Sequence, residues 1–328
     1  MLADKGGDRG LRGLQYRAMS STPRQAAIDV PAGVAGMQRF EHEAMNCTWG
    51  LYLADCKRDY ADSLAEEVFD EIDRVEIELS RFVEISDVSH INALRAGECV
   101  QVGIEALECL EVAACLHAES DGAFDVTFAS DVKPPDSASP QHALASDARL
   151  CGMNYLHIDR DARTIGVSAD GVVVDLGAIG KGYAIDLAVD ILRDWSVESA
   201  LLHSGQSTLY ALGSAPGGGD WRIPIRNPSD PARPLGDACF RDAALSGSGT
   251  AVKGRHILDP RTGNPAVGTA GAWALTPSAV LSDALSTACF VLEHQSVAAL
   301  CRLHAETSAL LLSAGGALES IGFPIRGG

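Results

Sequence analysis

The sequence predicts an α+β fold of mixed sheets with packed helices. Segments that alternate apolar and polar residues occur beside segments with a helical apolar period. The two kinds do not follow one another as strict strand–helix–strand units, which a doubly wound parallel sheet would require. The length of 328 residues suits one large domain or two ordinary ones, and no internal repeat divides it.

Residues 1–37 are rich in Gly, Arg and Ser and lack periodicity, so they are expected to form a disordered tail ahead of a folded unit at 38–328. FEHEAMNCTWGLYLAD, with Thr48, Gly50 and Tyr52 set between apolar positions, predicts a strand. In ADSLAEEVFDEIDRVEIELSRF, Leu64, Val68, Ile72, Val75, Leu79 and Phe82 step by four or three residues and predict one buried helix face. The acidic residues between them form a solvated face. Ile104, Leu107, Leu110 and Ala114 mark a second helix running toward Gly122, which fits a C′ position. The Pro-rich stretch 131–147 reads as a surface loop and a sub-boundary.

Next come a hairpin turning at Ala169-Asp170-Gly171, a strand ending at Asp175, a Gly-rich turn and a helix. SALLHSGQSTLYALG and DWRIPIRNP predict further strands, and HILDPRTGNP a turn-rich loop. SDALSTACFVLE opens a helix with Ser282 as the expected N-cap. A helix at 296–305 and a strand in TSALLLSA close the chain.

Composition narrows the function. A formal net charge of −18 opposes phosphate backbones and argues against general nucleic-acid binding, so an anionic substrate would need local positive groups. No apolar run approaches the ~18 residues of a membrane span. The nine cysteines are scattered without a CxxC pair, which disfavours zinc; Cys109 and Cys115 sit among apolar neighbours as core thiols would. With neither a secretory apolar segment nor a lipobox cysteine, a reducing cytoplasm is expected.

Four clusters could carry chemistry. On a helix, Asp283 and Thr287 stand at i and i+4 with Ser286 beside them, a hard-oxygen set of the kind magnesium takes. The plainer alternative is an acidic first turn facing the helix dipole. Asp175-Leu-Gly-Ala178-Ile-Gly-Lys181-Gly joins a strand end to a helix start, so backbone can approach a ligand and Lys181 can reach a phosphate. It is neither a Walker motif nor a dinucleotide fingerprint, and a tight turn with a solvated Lys is the rival reading. His256, before Asp259-Pro260, is a general base, a ligand contact or a structural histidine. In Asp121-Gly-Ala-Phe-Asp125, capping explains the glycine and leaves Phe124 and Asp125 unexplained.

Together, DGAFD, DLGAIGKGYAID, HILDPRTGNP and SDALSTACF closely resemble the ApbE family of FAD:protein FMN transferases, from about Met45 to the C-terminus. WRIPIRNP and LSRF…EISDVSHIN agree in order. The resemblance implies a magnesium-dependent transferase that cleaves FAD, attaches FMN to a Thr or Ser of a target flavoprotein, and releases AMP. It implies metal ligation by Asp283, Thr287, Ser286 and the Ala178 carbonyl. Met45, Ala123, Phe124, Asp125, Asp175, Lys181, His256 and Ile257 would line the FAD site, with Met45 and Phe124 offering apolar contact to its rings. His256 would accept the proton of the target hydroxyl, and Asp283 and His256 would be the catalytic pair. Three segments depart from the family pattern, the central loop after Asp125 among them. Gly205-Gln206-Ser207 replaces a frequent Gly-Gly-Asp, and LSGSGTAVKGRHILDP is shorter than the usual stretch before the histidine. These keep open an FAD pyrophosphatase giving FMN and AMP, and a flavin-binding protein without turnover.

Overall fold

The computed structural model describes residues 36–128, 150–228, 230–249 and 257–327. The expected tail (up to residue 35), most of the Pro-rich region (129–149) and His256 lie outside these residues.

The chain opens with a hairpin of β1 (Gln38–Ala44) and β2 (Cys47–Leu53), followed by α1 (Arg58–Leu79) and α2 (Asp87–Asn92). Strand β3 (Cys99–Gln101) precedes α3 (Ile104–Glu119), and β4 (Leu156–Asp159) and β5 (Thr164–Val167) precede α4 (Gly180–Asp194). The next strands are β6 (Ser199–Ser204), β7 (Thr208–Gly213), β8 (Trp221–Asn227), β9 (Asp230–Phe240) and β10 (Ala243–Gly249). A short ribbon, β11 (Leu258–Asp259) with β12 (Asn264–Pro265), leads into β13 (Thr269–Thr276). Helices α5 (Ala279–Val291) and α6 (His294–Leu303) precede β14 (Ser308–Ser313), β15 (Leu318–Ile321) and β16 (Ile325–Arg326).

Eight strands form one antiparallel sheet in the order β1-β2-β6-β7-β10-β13-β14-β15. Alternate residues serve opposite faces. Ala272 and Ala274 on β13 pack with the helices, whereas Trp273 and Leu275 face Trp221, Ile223 and Phe240 of the smaller sheet β16-β9-β8. The result is three layers with two apolar cores, the expected α+β class. The helix-side core draws residues from both sides of 129–149, Val126 and Met153 among them. Among the described residues no helix is long and apolar enough to cross a membrane.

Several local expectations need correction. The first predicted strand is a hairpin: Met45 and Asn46 both have positive φ (48° and 59°) and form a two-residue turn between the paired Ala44 and Cys47. Helix α1 buries Leu64, Val68, Ile72, Val75 and Leu79 but ends there, so Phe82 is 80% exposed in the following loop. At the end of α3, Asp121 takes the C′ place (φ 51°) and Gly122 the next one. The Gly122 N–H donates to His117 O at 2.9 Å, as in a Schellman cap.

Ala169-Asp170-Gly171 does not turn a hairpin, because β3 and β4 already occupy both edges of β5. The segment leading to Asp175 is no regular strand either. The Asn92 side chain pairs with both backbone groups of Val174, and the Asp175 N–H donates to Val126 O. Ser278, not Ser282, caps α5. Ser282 is fully buried, and its hydroxyl donates to Ala274 O at 2.8 Å. Among the cysteines, Cys109, Cys239, Cys289 and Cys301 are buried, but Cys115 lies on the exposed side of α3.

Candidate active site

The site forms where the N-terminus of α4 meets the side of α5. At Gly182 the helices touch: a Cβ there would lie 2.2 Å from Ala279 O, so this crossing requires glycine. Asp186, one turn further along α4, fixes the crossing. Its carboxylate accepts from the Ala279 N–H (2.7 Å), the Val280 N–H (2.9 Å) and the Ser278 hydroxyl (2.8 Å), satisfying the open end of α5. Burial raises the Asp186 pKa, and these three bonds offset part of the rise.

Asp283 points into this junction. It is 5% exposed and lies beyond the first turn of α5, so the reading of an acid placed for the helix dipole loses its basis. Its Oδ1 accepts from Thr208 Oγ1 at 3.0 Å and its Oδ2 from the Gly182 N–H at 3.2 Å. Lys181 Nζ stands 3.8 Å from Oδ2 and donates to Gly177 O at 3.0 Å. Lys181 is therefore held over the Gly-rich turn rather than extended into solvent. On the next turn of α5, Ser248 Oγ of β10 lies 2.9 Å from Ser286 Oγ and 3.4 Å from Thr287 Oγ1. The Ser286 hydroxyl also donates to Asp283 O.

Contacts link other predicted segments to the Gly-rich turn. Asp175 Oδ1 accepts from the Gly177 N–H at 2.8 Å and Oδ2 pairs with Arg81 Nε at 3.1 Å. The bond from the Asp175 N–H to Val126 O (2.7 Å) joins the Gly-rich turn to the Ala123–Asp125 strip. Asp125 accepts from the Thr127 hydroxyl at 2.6 Å and lies 3.5 Å from His117 Nδ1. Phe124 is 2% exposed within the core, and its carbonyl oxygen lies 3.0 Å from His117 Nδ1. Met45, in the hairpin turn, donates its N–H to Glu76 Oε2 at 2.8 Å. Two residues on, burial pushes the Cys47 thiol up to about 11, with nearby Lys181 pulling it down and Asp283 adding to the rise. The hairpin thus reaches the same neighbourhood.

Ile257 packs partly buried against the core at the start of the Asp-Pro loop. In that loop Arg261 clasps Asp259 at 2.9 Å, and its hydrogen bonds lower the Asp259 pKa. A Cβ on Gly122 would lie 3.5 Å from Arg261 Cγ, so this loop also borders the Ala123–Asp125 strip. Among the described residues no cluster of three or more His, Cys, Asp or Glu offers a metal site. The donors that the resemblance implies for a cation are one carboxylate, the hydroxyls of Ser286 and Thr287, and the Ala178 carbonyl. These are hard oxygens, which fits magnesium.

The sequence profile of the ApbE family matches residues 45–311. The chain belongs to the ApbE family. An FAD:protein FMN transferase of Treponema pallidum is 29% identical over 280 residues, spanning 75% of this chain and 76% of the relative. One from Vibrio cholerae is 26% identical over 261 residues, covering 73% and 75%. The fold matches the crystal structure of the ApbE protein of Thermotoga maritima with a TM-score of 0.74 and 25% identity, covering 87% of this chain and 97% of that one. It matches the flavinyl transferase ApbE of Pseudomonas stutzeri with a TM-score of 0.73 and 27% identity, covering 87% and 95%.

Arg81, Thr208, Ser246, Ser248 and Asp186 also contact these groups, though no motif of the sequence singles them out. The sequence signal for the hydroxyls is weak: one Thr opening the apolar strand TLYALG, and Ser at alternate positions of ALSGSG.

Proposed function

We propose that this ApbE-family protein is a magnesium-dependent FAD:protein FMN transferase that moves FMN from FAD to a Ser or Thr of a target flavoprotein and releases AMP. The observation that carries this reading is the buried Asp283 carboxylate, set between the α4 N-terminus and hydroxyl-bearing Ser286 and Thr287. The names of the curated relatives support the transfer of FMN from FAD to a protein.

In this reading Asp283, Ser286, Thr287 and the Ala178 carbonyl hold the ion. When bound, magnesium neutralises pyrophosphate charge and orients the leaving phosphate. Lys181 and the N-terminal amides of α4 attract the phosphates where the net charge of −18 would repel them. Met45, Asp125, Asp175 and Ile257 border the flavin, with Ala123 and Phe124 contributing main chain. His256 takes the proton of the acceptor hydroxyl as its oxygen bonds to the FMN phosphorus and the bond to AMP breaks. The working unit is 38–328, and its setting is the cytoplasm.

The test is incubation of the full-length protein with FAD and magnesium, with and without an acceptor peptide containing the target Thr or Ser. Covalent flavin on the peptide with equimolar AMP is expected. AMP released equally without peptide would mean a pyrophosphatase, and FAD bound without AMP release a flavin-binding protein; either result overturns the transferase reading.

A further inference from the structure

We propose that Thr208, backed by Ser246, is a positioning residue for the Asp283 carboxylate; the inference rests on the metal-binding reading of Asp283 above. Three buried groups form a directed relay. Ser246 Oγ donates to Thr208 Oγ1 at 3.2 Å, and Thr208 Oγ1 donates to Asp283 Oδ1 at 3.0 Å. Thr208 and Ser246 are paired directly across β7 and β10, and they are 1% and 0% exposed. With Ser246 donating into the Thr208 oxygen, the Thr208 proton is committed to the carboxylate.

The relay has a function beyond packing. A hydroxyl buried under a helix costs free energy unless it is hydrogen-bonded, and Val would fill the place of Thr with no polar group to satisfy. Two hydroxyls in the buried pair between these strands gain by being useful to Asp283. Thr208 holds Oδ1 while the Gly182 N–H holds Oδ2, so the carboxylate is fixed about its terminal torsion. Each carboxylate oxygen has acceptor capacity left for a cation, and a ligand held in place loses little freedom on binding.

The test uses full-length protein and Mn²⁺ as the probe, with free metal read by electron paramagnetic resonance and folding by thermal melting. Thr208→Val should weaken Mn²⁺ binding roughly tenfold, and Thr208→Ser should restore it to within about twofold, in line with the usual effect of groups that orient metal ligands. Asp283→Asn reports on the underlying reading: if it binds Mn²⁺ as the parent does, Asp283 is not a ligand, whatever Thr208→Val does. If Asp283→Asn loses binding while folded Thr208→Val keeps parental affinity, the positioning role is overturned. Equal weakening in Thr208→Val and Thr208→Ser overturns it as well, because the hydroxyl would then not be the cause. Should Thr208→Val fail to fold, Ser246→Ala decides: weakening of about threefold supports the relay and unchanged affinity refutes it.

Discussion

Asp283 is the carboxylate on which Gly182, Thr208 and Lys181 converge, so its loss removes the negative ligand of the proposed ion site. Asp283→Ala should cut magnesium-dependent AMP release by at least about 100-fold. Activity that persists with unchanged magnesium dependence would place the ion elsewhere. His256 has a different expected signature, because a proton acceptor serves the reacting hydroxyl rather than flavin binding. His256→Ala should slow flavin transfer by about 100-fold or more while the FAD dissociation constant, read from flavin fluorescence, moves by less than about threefold. Parallel losses in both would make it a binding residue. At this scale the motifs made Asp283, Lys181 and Asp175 legible, because a charge in a Gly-rich turn or beside hydroxyls one helical turn away is a local pattern. Thr208 and Ser246 were not legible. Their meaning depends on two strands, 38 residues apart, being in register under a helix.

Helix periodicity read well for α1, where steps of three and four residues coincide with the buried face from Leu64 to Leu79. It failed at ends, since Ser278 and Ser282 are equally good caps by type and only the backbone chooses between them. The β1–β2 turn was missed because Met45-Asn46 lacks the glycine that usually announces a turn with two positive φ values. The crossing of α4 and α5 was invisible as well, although its key residue lies inside a recognised motif. Gly182→Ala tests that crossing. Its Cβ would meet the Ala279 carbonyl at 2.2 Å, where main chain cannot swing aside. The helices must separate, at a cost of about 2–3 kcal/mol in urea unfolding, and Lys181 must move relative to Asp283, so turnover should fall with stability. A variant as stable as the parent would show that the crossing is loose.

The eight-stranded order could not be read from sequence, because sheet neighbours such as β2 and β6 are joined only by long-range pairing. That pairing also creates a pH dependence for the whole molecule. Gly50 on β2 faces His203 on β6, and a Cβ at Gly50 would lie 2.2 Å from His203 Nε2, so the ring fills the space that glycine leaves. Burial lowers the His203 pKa from its ordinary 6.5 to about 4, and its buried Nδ1 has no hydrogen-bond partner among the described residues. The folded state therefore favours the neutral ring. Above about pH 6.5 the ring is neutral in both states and costs nothing. Between 6.5 and 4 the unfolded chain binds a proton that the folded protein refuses, so stability falls as pH falls through this window. The expected contribution is about 2–3 kcal/mol, part of it screened because the residue is not fully enclosed. Urea unfolding followed from pH 7.5 to 4.5 should show this slope in the parent and a flatter one in His203→Asn. An identical slope in the two proteins would assign the acid sensitivity to other groups.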